Sequence, residues 1–212
     1  MRVLLIRHGR QCSPLCNVDV ALAPEGRRQA ELLGERLVYE KVDSLWCSDL
    51  IRARETAGIL GGILGLSPTV RTGLREISFG DLEGLSDEVI ADRFEDFLRE
   101  RIKMERDMAY PGGECAADVV RRVLPVMEEI TSGACETAAV VTHGGVIRSL
   151  TAHYLGMDLS KTALLASHLE NCGITELIFR RGSGRVYLNR FNDYGHLEKE
   201  PELLRSGWSG KK

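Results

Sequence analysis

Two short apolar runs, far apart in the chain, end in the same way. Val3-Leu4-Leu5-Ile6 runs into Arg7-His8-Gly9, and Ala138-Ala139-Val140-Val141-Thr142 runs into His143-Gly144-Gly145. Short β-branched and small apolar runs bounded by polar residues read as strands buried on both faces, the habit of parallel sheets covered by helices. Such sheets bind their ligands beyond the carboxyl ends of the strands. If these two strands are neighbours, both imidazoles converge on one pocket, and the glycines after them let the backbone come close to a bound group.

The rest of the pattern alternates strand and helix. Residues 11–23, with Pro14 and Asn17, read as a long loop, and Pro24 opens a helix carrying Ala30, Leu33, Leu37 and Val38 that ends near Lys41. Ser44-Leu45-Trp46-Cys47 reads as a strand, after which Ser48 and Asp49 offer N-cap oxygens to a helix with Ala53, Ala57, Leu60 and Leu64. A short extended piece at 68–70 leads into a glycine-interrupted loop at 74–84. Residues 86–110 form a helical, heavily charged segment whose apolar stripe is Phe94, Phe97, Leu98 and Ile102. Helices follow at 116–130, despite Pro125, and at 146–155. Two closing strands, 174–179 and 185–191, flank the hairpin turn Gly182-Ser183-Gly184. From about residue 193 the chain reads as a polar, loosely packed tail.

This order predicts a single domain over residues 1–212. Its class is α/β: a three-layer α/β/α sandwich with a mainly parallel central sheet and helices on both faces. No repeat or linker interrupts it.

The composition narrows the partners. With 212 residues, 43% of them hydrophobic, the chain can bury one sizeable core. A net charge of -3 advertises neither nucleic acid nor an anionic membrane, so any anion must be held locally. The apolar run at the N-terminus is too short for a signal-peptide core, which predicts a cytoplasmic protein. Cys12, Cys16, Cys47, Cys115, Cys135 and Cys172 are scattered in a way that suits reduced thiols. Only Cys12 and Cys16 sit close together, and no second ligand pair stands beside them to make a zinc site.

The chemistry favours phosphate. Gly144 and Gly145 begin a helix, whose unpaired N–H groups and positive dipole end attract an anion, and Arg7 adds a planar fork of donors. Arg52 stands in the first turn of its helix, where the dipole prefers acids, which points to a duty beyond helix stability. An acid in the 74–84 loop could protonate a leaving alkoxide, and on spacing alone Glu76, Asp81 and Glu83 are equal candidates.

Four segments, taken in order, resemble the histidine phosphatase superfamily, also called the phosphoglycerate mutase-like family. They are Arg7-His8-Gly9, the run from Ser48 through Arg52 to Ala57, the run from Leu74 through Glu76 to Gly84, and Val141-Thr142-His143-Gly144-Gly145. The resemblance implies that His8 is the nucleophile and that Arg7, Arg52 and His143 hold the phosphoryl oxygens. It also implies that Glu76 is the proton donor, and that Gly144 and Asn17 contribute to phosphate binding. Arg10 and Gln11 depart from the family pattern after its first motif, which weakens the assignment of Asn17 and would let Arg10 extend the positive pocket. His153, His168 and His196 read as packing or surface histidines. Glu114 reads as an acid in the first turn of a helix.

No metal and no cofactor are expected. The chain lacks the longer mid-chain insertion of cofactor-dependent phosphoglycerate mutases, so the resemblance favours a phosphatase acting through a phosphohistidine over mutase-type phosphoryl transfer. A phospho-ligand binding module without turnover is the reading from another class. Residues 86–110 would lie over the pocket as a cap, and their balanced charge shows no basic lining that would favour multiply phosphorylated substrates. The expected partner is a small phosphorylated metabolite, with self-association into a homodimer left open.

Overall fold

The computed structural model describes residues 1–180 and 182–206. Six strands share one sheet: β1 (Arg2–Arg7), β2 (Ser44–Cys47), β3 (Thr69–Val70), β4 (Thr137–Thr142), β5 (Ile174–Phe179) and β6 (Val186–Asp193). Their order is β3-β2-β4-β1-β5-β6. β1 through β4 pair in parallel, and β5 and β6 add an antiparallel edge. β1 and β4 are neighbours in register from Arg2 opposite Thr137 to Arg7 opposite Thr142, so their carboxyl ends finish level.

The period-2 alternation of strand side chains divides these apolar runs between two cores. Val3, Leu5, Ala138 and Val140 pack against α5 (Ala116–Ser132) and α6 (Gly144–Tyr154) through Val119, Val123, Met127, Ile130, Ile147 and Leu150. Leu4, Ile6, Ala139 and Val141 pack on the other face against α1 (Pro24–Leu37) and α2 (Ile51–Leu64) through Ala30, Leu33, Leu37, Ala53, Ala57 and Leu60. Each fully buried large aliphatic side chain contributes about 1.5–3 kcal/mol, so a polar substitution in β1 or β4 is opposed from both sides.

Three local expectations are corrected. α2 is not capped by Ser48 or Asp49: Leu50 occupies the cap, Asp49 is drawn away by Arg75, and Asp19 of the long loop accepts from the Ile51 N–H at 2.8 Å. The segment 86–110 is not one helix. It contains α3 (Asp87–Arg93) and α4 (Glu95–Arg101), neither of which buries a residue, and Ile102 falls off the stripe, 73% exposed. Helix ends there because Met104 adopts a left-handed φ of 54° and Asp107 turns back to accept from the Ala116 and Ala117 N–H groups that open α5. The tail is anchored rather than loose up to residue 206. Leu197 and Leu203 are buried, and the Leu203 carbonyl accepts from Gln29 of α1 at 2.8 Å. The rest of the predicted tail, 207–212, and Arg181 beside the hairpin turn lie outside the described residues.

Candidate active site

Because β1 and β4 end level, His8 and His143 meet above the centre of the sheet with ring centroids 4.9 Å apart. His8 is fixed through both nitrogens. Its Nδ1 lies 2.7 Å from the Gly9 carbonyl, which assigns the proton to Nδ1, and its Nε2 accepts from Arg52 Nε at 3.2 Å. Nε2 is therefore the unprotonated nitrogen. Burial, with Arg52 and Arg7 adding to it, holds the His8 imidazole well below the usual histidine range. Asn171, which sequence reasoning missed, donates to the His8 carbonyl at 2.7 Å. Gly9 has a packing reason: a Cβ there would stand 2.5 Å from the Gly26 carbonyl oxygen.

Arg52 is 2% exposed and spread over three partners: His8, the Val18 carbonyl at 3.0 Å and Asn17 Oδ1 at 2.7 Å. Asn17 is thus brought into the site as the group that orients Arg52, and it donates in turn to Glu83 at 3.0 Å. Arg7 donates to the Leu169 carbonyl, and burial together with Arg205 pushes its pKa down to about 10. Arg7 Nε and both ring nitrogens of His143 are buried with no hydrogen-bond partner among the described residues. Burial, followed by the charges of His8, Arg52 and Arg7, holds His143 well below the usual range too. Unpartnered buried donors are costly, and an anion set between them would supply the missing acceptors.

The three candidate acids separate in space. Glu76 Oε1 accepts from the Ile77 and Gly145 N–H groups, both at 2.9 Å, at the N-terminus of α6. A Cβ on Gly145 would stand 2.5 Å from that oxygen, so the glycine is what admits the carboxylate. Glu83 is exposed and spends one oxygen on Asn17, Ser78 and the Phe79 N–H, while Asp81 is exposed and lies against Gly112. Only Glu76 of the three lines the cavity that contains His8.

Glu114 is not in a helix's first turn, because α5 begins after it. It accepts from the Ser78 N–H at 2.9 Å and from Arg122 at 2.8 Å, and Arg122 also donates to the Gly73 and Glu76 carbonyls. Together they brace the loop that presents Glu76.

Two cavities adjoin across Arg7, Glu76, Phe79 and Arg205. The larger, about 780 Å³, holds His8, Arg52 and Asn17, with Arg10 on its wall beside Glu25 at 3.3 Å. The smaller, about 320 Å³, is lined by Arg101, Tyr110, Arg148 and His168 as well. An arginine lining is therefore present, contrary to the sequence expectation, and His168, exposed as expected of a surface histidine, lines the same cavity. Its residues come from α4, α6 and two later loops, and balanced charge along a segment says nothing about such convergence. His153 meets the Tyr154 ring edge-on and His196 is half-buried beside Arg36, where desolvation pushes its pKa down to about 4, and neither lines either cavity. Among the described residues no group of three or more His, Cys, Asp or Glu side chains stands at metal-binding spacing. Burial and neighbouring acids raise the Cys16 thiol to about 11. No helix among the described residues is long and apolar enough to cross a membrane.

Comparison with known proteins gives a consistent picture. The family model of the histidine phosphatase superfamily (branch 1) matches residues 3–193. A glucosyl-3-phosphoglycerate phosphatase of Mycolicibacterium vanbaalenii is 30% identical over 177 residues, covering 77% of this chain and 78% of its own. A 2,3-bisphosphoglycerate-dependent phosphoglycerate mutase of Xanthobacter autotrophicus is 34% identical over 161 residues, covering 70% of this chain and 78% of its own. Among solved structures, a mycobacterial glucosyl-3-phosphoglycerate phosphatase superposes with a TM-score of 0.81 at 31% identity, over 91% of this chain and 98% of that one.

Proposed function

This chain belongs to the histidine phosphatase superfamily, and from that premise we propose that it hydrolyses a small phosphomonoester through a phosphoryl group carried on Nε2 of His8. The observation that carries the reading is the state of His8: Nδ1 bound to a backbone carbonyl, Nε2 unprotonated, in a cavity lined by Arg7 and Arg52, with the buried His143 ring 4.9 Å from its own. Two of the relatives are named for small phosphorylated metabolites, glucosyl-3-phosphoglycerate and phosphoglycerate, and that class is carried over here.

In the first displacement the Nε2 lone pair attacks phosphorus and the ester P–O bond breaks. Glu76 supplies the proton that the leaving alkoxide takes up. In the second, the Glu76 carboxylate accepts a proton from water, the water oxygen bonds to phosphorus, and the P–N bond returns its electrons to the imidazole. Charge gathers on the equatorial oxygens of a loose transition state, where Arg7, Arg52, the His143 N–H and the Gly144 end of α6 supply positive field without a metal. Asn17 acts through Arg52. Its bond to Nη2 fixes the guanidinium plane.

Water has ready access, because exposed Cys12 and Asp87 form part of the larger cavity's lining and no residue of α3 or α4 is itself buried. That favours hydrolysis over return of the phosphoryl group to a second hydroxyl. Six free thiols suit a reducing compartment, and the proposal places the enzyme in the cytoplasm.

The test is steady-state hydrolysis of an aryl phosphate, with and without EDTA, by the native chain and by His8→Ala. The proposal expects chelator-insensitive release of inorganic phosphate that falls at least about a thousandfold in the variant. Turnover that survives in His8→Ala, or that disappears with EDTA, would count against it.

A further inference from the structure

Three buried polar side chains have no part in the chemistry above: Gln29 in α1 and Thr56 in α2, both fully buried, and Asn171 ahead of β5, 2% exposed. Buried polar groups need hydrogen-bond partners, and these three, remote from one another in sequence, find theirs on the same short stretch, residues 8–10. Asn171 Nδ2 donates to the His8 carbonyl at 2.7 Å, Thr56 Oγ1 accepts from the Gly9 N–H at 3.0 Å, and Gln29 Oε1 accepts from the Arg10 N–H at 2.8 Å. The His8 N–H donates to the Thr142 carbonyl and the Arg10 carbonyl accepts from the Ala23 N–H, so every backbone polar group from His8 to Arg10 is held.

Gly9 is where the chain needs this support. Glycine restrains its own backbone less than any other residue, yet the Gly9 carbonyl is the acceptor that keeps the imidazole proton on His8 Nδ1. A planar trans peptide carries its C=O and N–H on opposite sides, so fixing one fixes the other. Gln29 therefore sets the Gly9 carbonyl through the Arg10 N–H, while Asn171 and Thr56 fix both ends of the peptide group before it. Gln29 is oriented in turn: its Nε2 donates to the Leu203 carbonyl at 2.8 Å, and only one setting of the amide satisfies both bonds. The Thr56 hydroxyl donates to the Arg52 carbonyl at 2.7 Å, which ties the turn after His8 to the helix that carries Arg52. Neither Gln29 nor Thr56 lines either of the two adjoining cavities, so their influence on a substrate there passes through the backbone.

We propose that Gln29 and Thr56 are positioning residues for the nucleophile: by fixing the two peptide groups that meet at Gly9 they hold the Gly9 carbonyl on Nδ1 and keep Nε2 unprotonated for phosphorus. The effect on turnover rests on the phosphatase reading. The effect on the ring proton does not, because the tautomer is a property of the resting protein.

The test reads the His8 tautomer by 15N NMR near neutral pH, its signals assigned by their loss in His8→Ala, together with kcat and KM on an aryl phosphate. The native ring should carry its proton on Nδ1. Gln29→Met, which keeps volume and removes the acceptor, and Thr56→Val should each lower the Nδ1–H fraction and cut kcat about tenfold or more, with KM within about threefold of native. Gln29→Glu, which keeps an acceptor for the Arg10 N–H in either protonation state, and Thr56→Ser should hold kcat within about threefold of native. If Gln29→Met does not fold, the Thr56 pair decides. A ring proton unmoved in Gln29→Met and Thr56→Val, or moved while kcat stays native, overturns the assignment, as do equal losses in the conservative variants. Should the native chain show no turnover, the phosphatase reading falls and the tautomer alone sustains or overturns the positioning role.

Discussion

The two adjoining cavities are built by opposite means. Around His8 the reactive groups are enclosed: His8, Arg52 and His143 are buried, each stands just after a strand or in the helix that follows it, and β1 and β4 finish level beneath them. Around Arg148 the basic side chains are half-buried or exposed and come from separate stretches of chain, Arg148 held by one carbonyl and Arg101 by a carbonyl and a ring face. The first arrangement preorganises positive field where charge develops, which is where electrostatic catalysis is effective. The second can change one arginine at a time without disturbing the sheet. A shared scaffold can thus keep its chemistry while its recognition varies.

The contrast breaks most readily at Arg52. Arg52→Ala removes a buried donor from the transition state and releases Asn17, and kcat should fall by about 10²–10³, measured by steady-state hydrolysis of an aryl phosphate. A loss below tenfold would mean that the strand-end cavity is no more preorganised than its neighbour. Gly145→Ala should come next. Its Cβ, 2.5 Å from Glu76 Oε1 and 2.6 Å from Ile77 Cγ2, must displace one or both, at about 1–3 kcal/mol. Thermal unfolding should show that cost, and kcat should drop more than KM changes.

Glu114→Ala sharpens the comparison from outside the site. It leaves Arg122 and the Ser78 N–H without their shared acceptor, and a loss of about 1–2 kcal/mol in denaturant unfolding is expected, with kcat reduced through the looser Glu76 loop. The smallest effect is that of pH. His8, His143 and His196 have folded-state values below their unfolded value of about 6.5, so below that pH the unfolded chain binds more protons than the folded one. Stability is full above about pH 6.5 and declines as pH falls through it. His196→Gln, which lies outside both cavities, should flatten part of that decline in Tm between about pH 6.5 and 4.5, above the range where carboxylates titrate. A decline equally steep in the variant would return the effect to the strand-end histidines alone.

What the sequence made legible follows the same division. β1, β4 and the His-Gly steps after them could be read because a strand buried on both faces writes itself as an unbroken apolar run, and the site hangs directly from its end. Choosing Glu76 over Asp81 and Glu83 needed tertiary structure, since only the fold shows which acid reaches the Gly145 N–H. Arg148 sits in α6 five residues after His143, a visible position, but nothing in local pattern says that α4 and the C-terminal stretch bring Arg101 and Arg205 to meet it. Asp19 capping α2 and Leu203 anchoring on α1 were hidden for the same reason: each partner is remote in sequence. Asn171 carries no motif at all and is known only by its bond to the His8 carbonyl.

The central claim is that His8 carries the phosphoryl group, and Glu76→Gln with an activated aryl phosphate tests it most directly. A phenolate leaves without needing a proton, so the first displacement proceeds, whereas the second lacks its base. The account predicts a burst of phenolate approaching one per site, with the phosphoryl group recovered on the His8 peptide after an alkaline quench. Steady release without a burst, or a phosphoryl group recovered on any other residue, would contradict it.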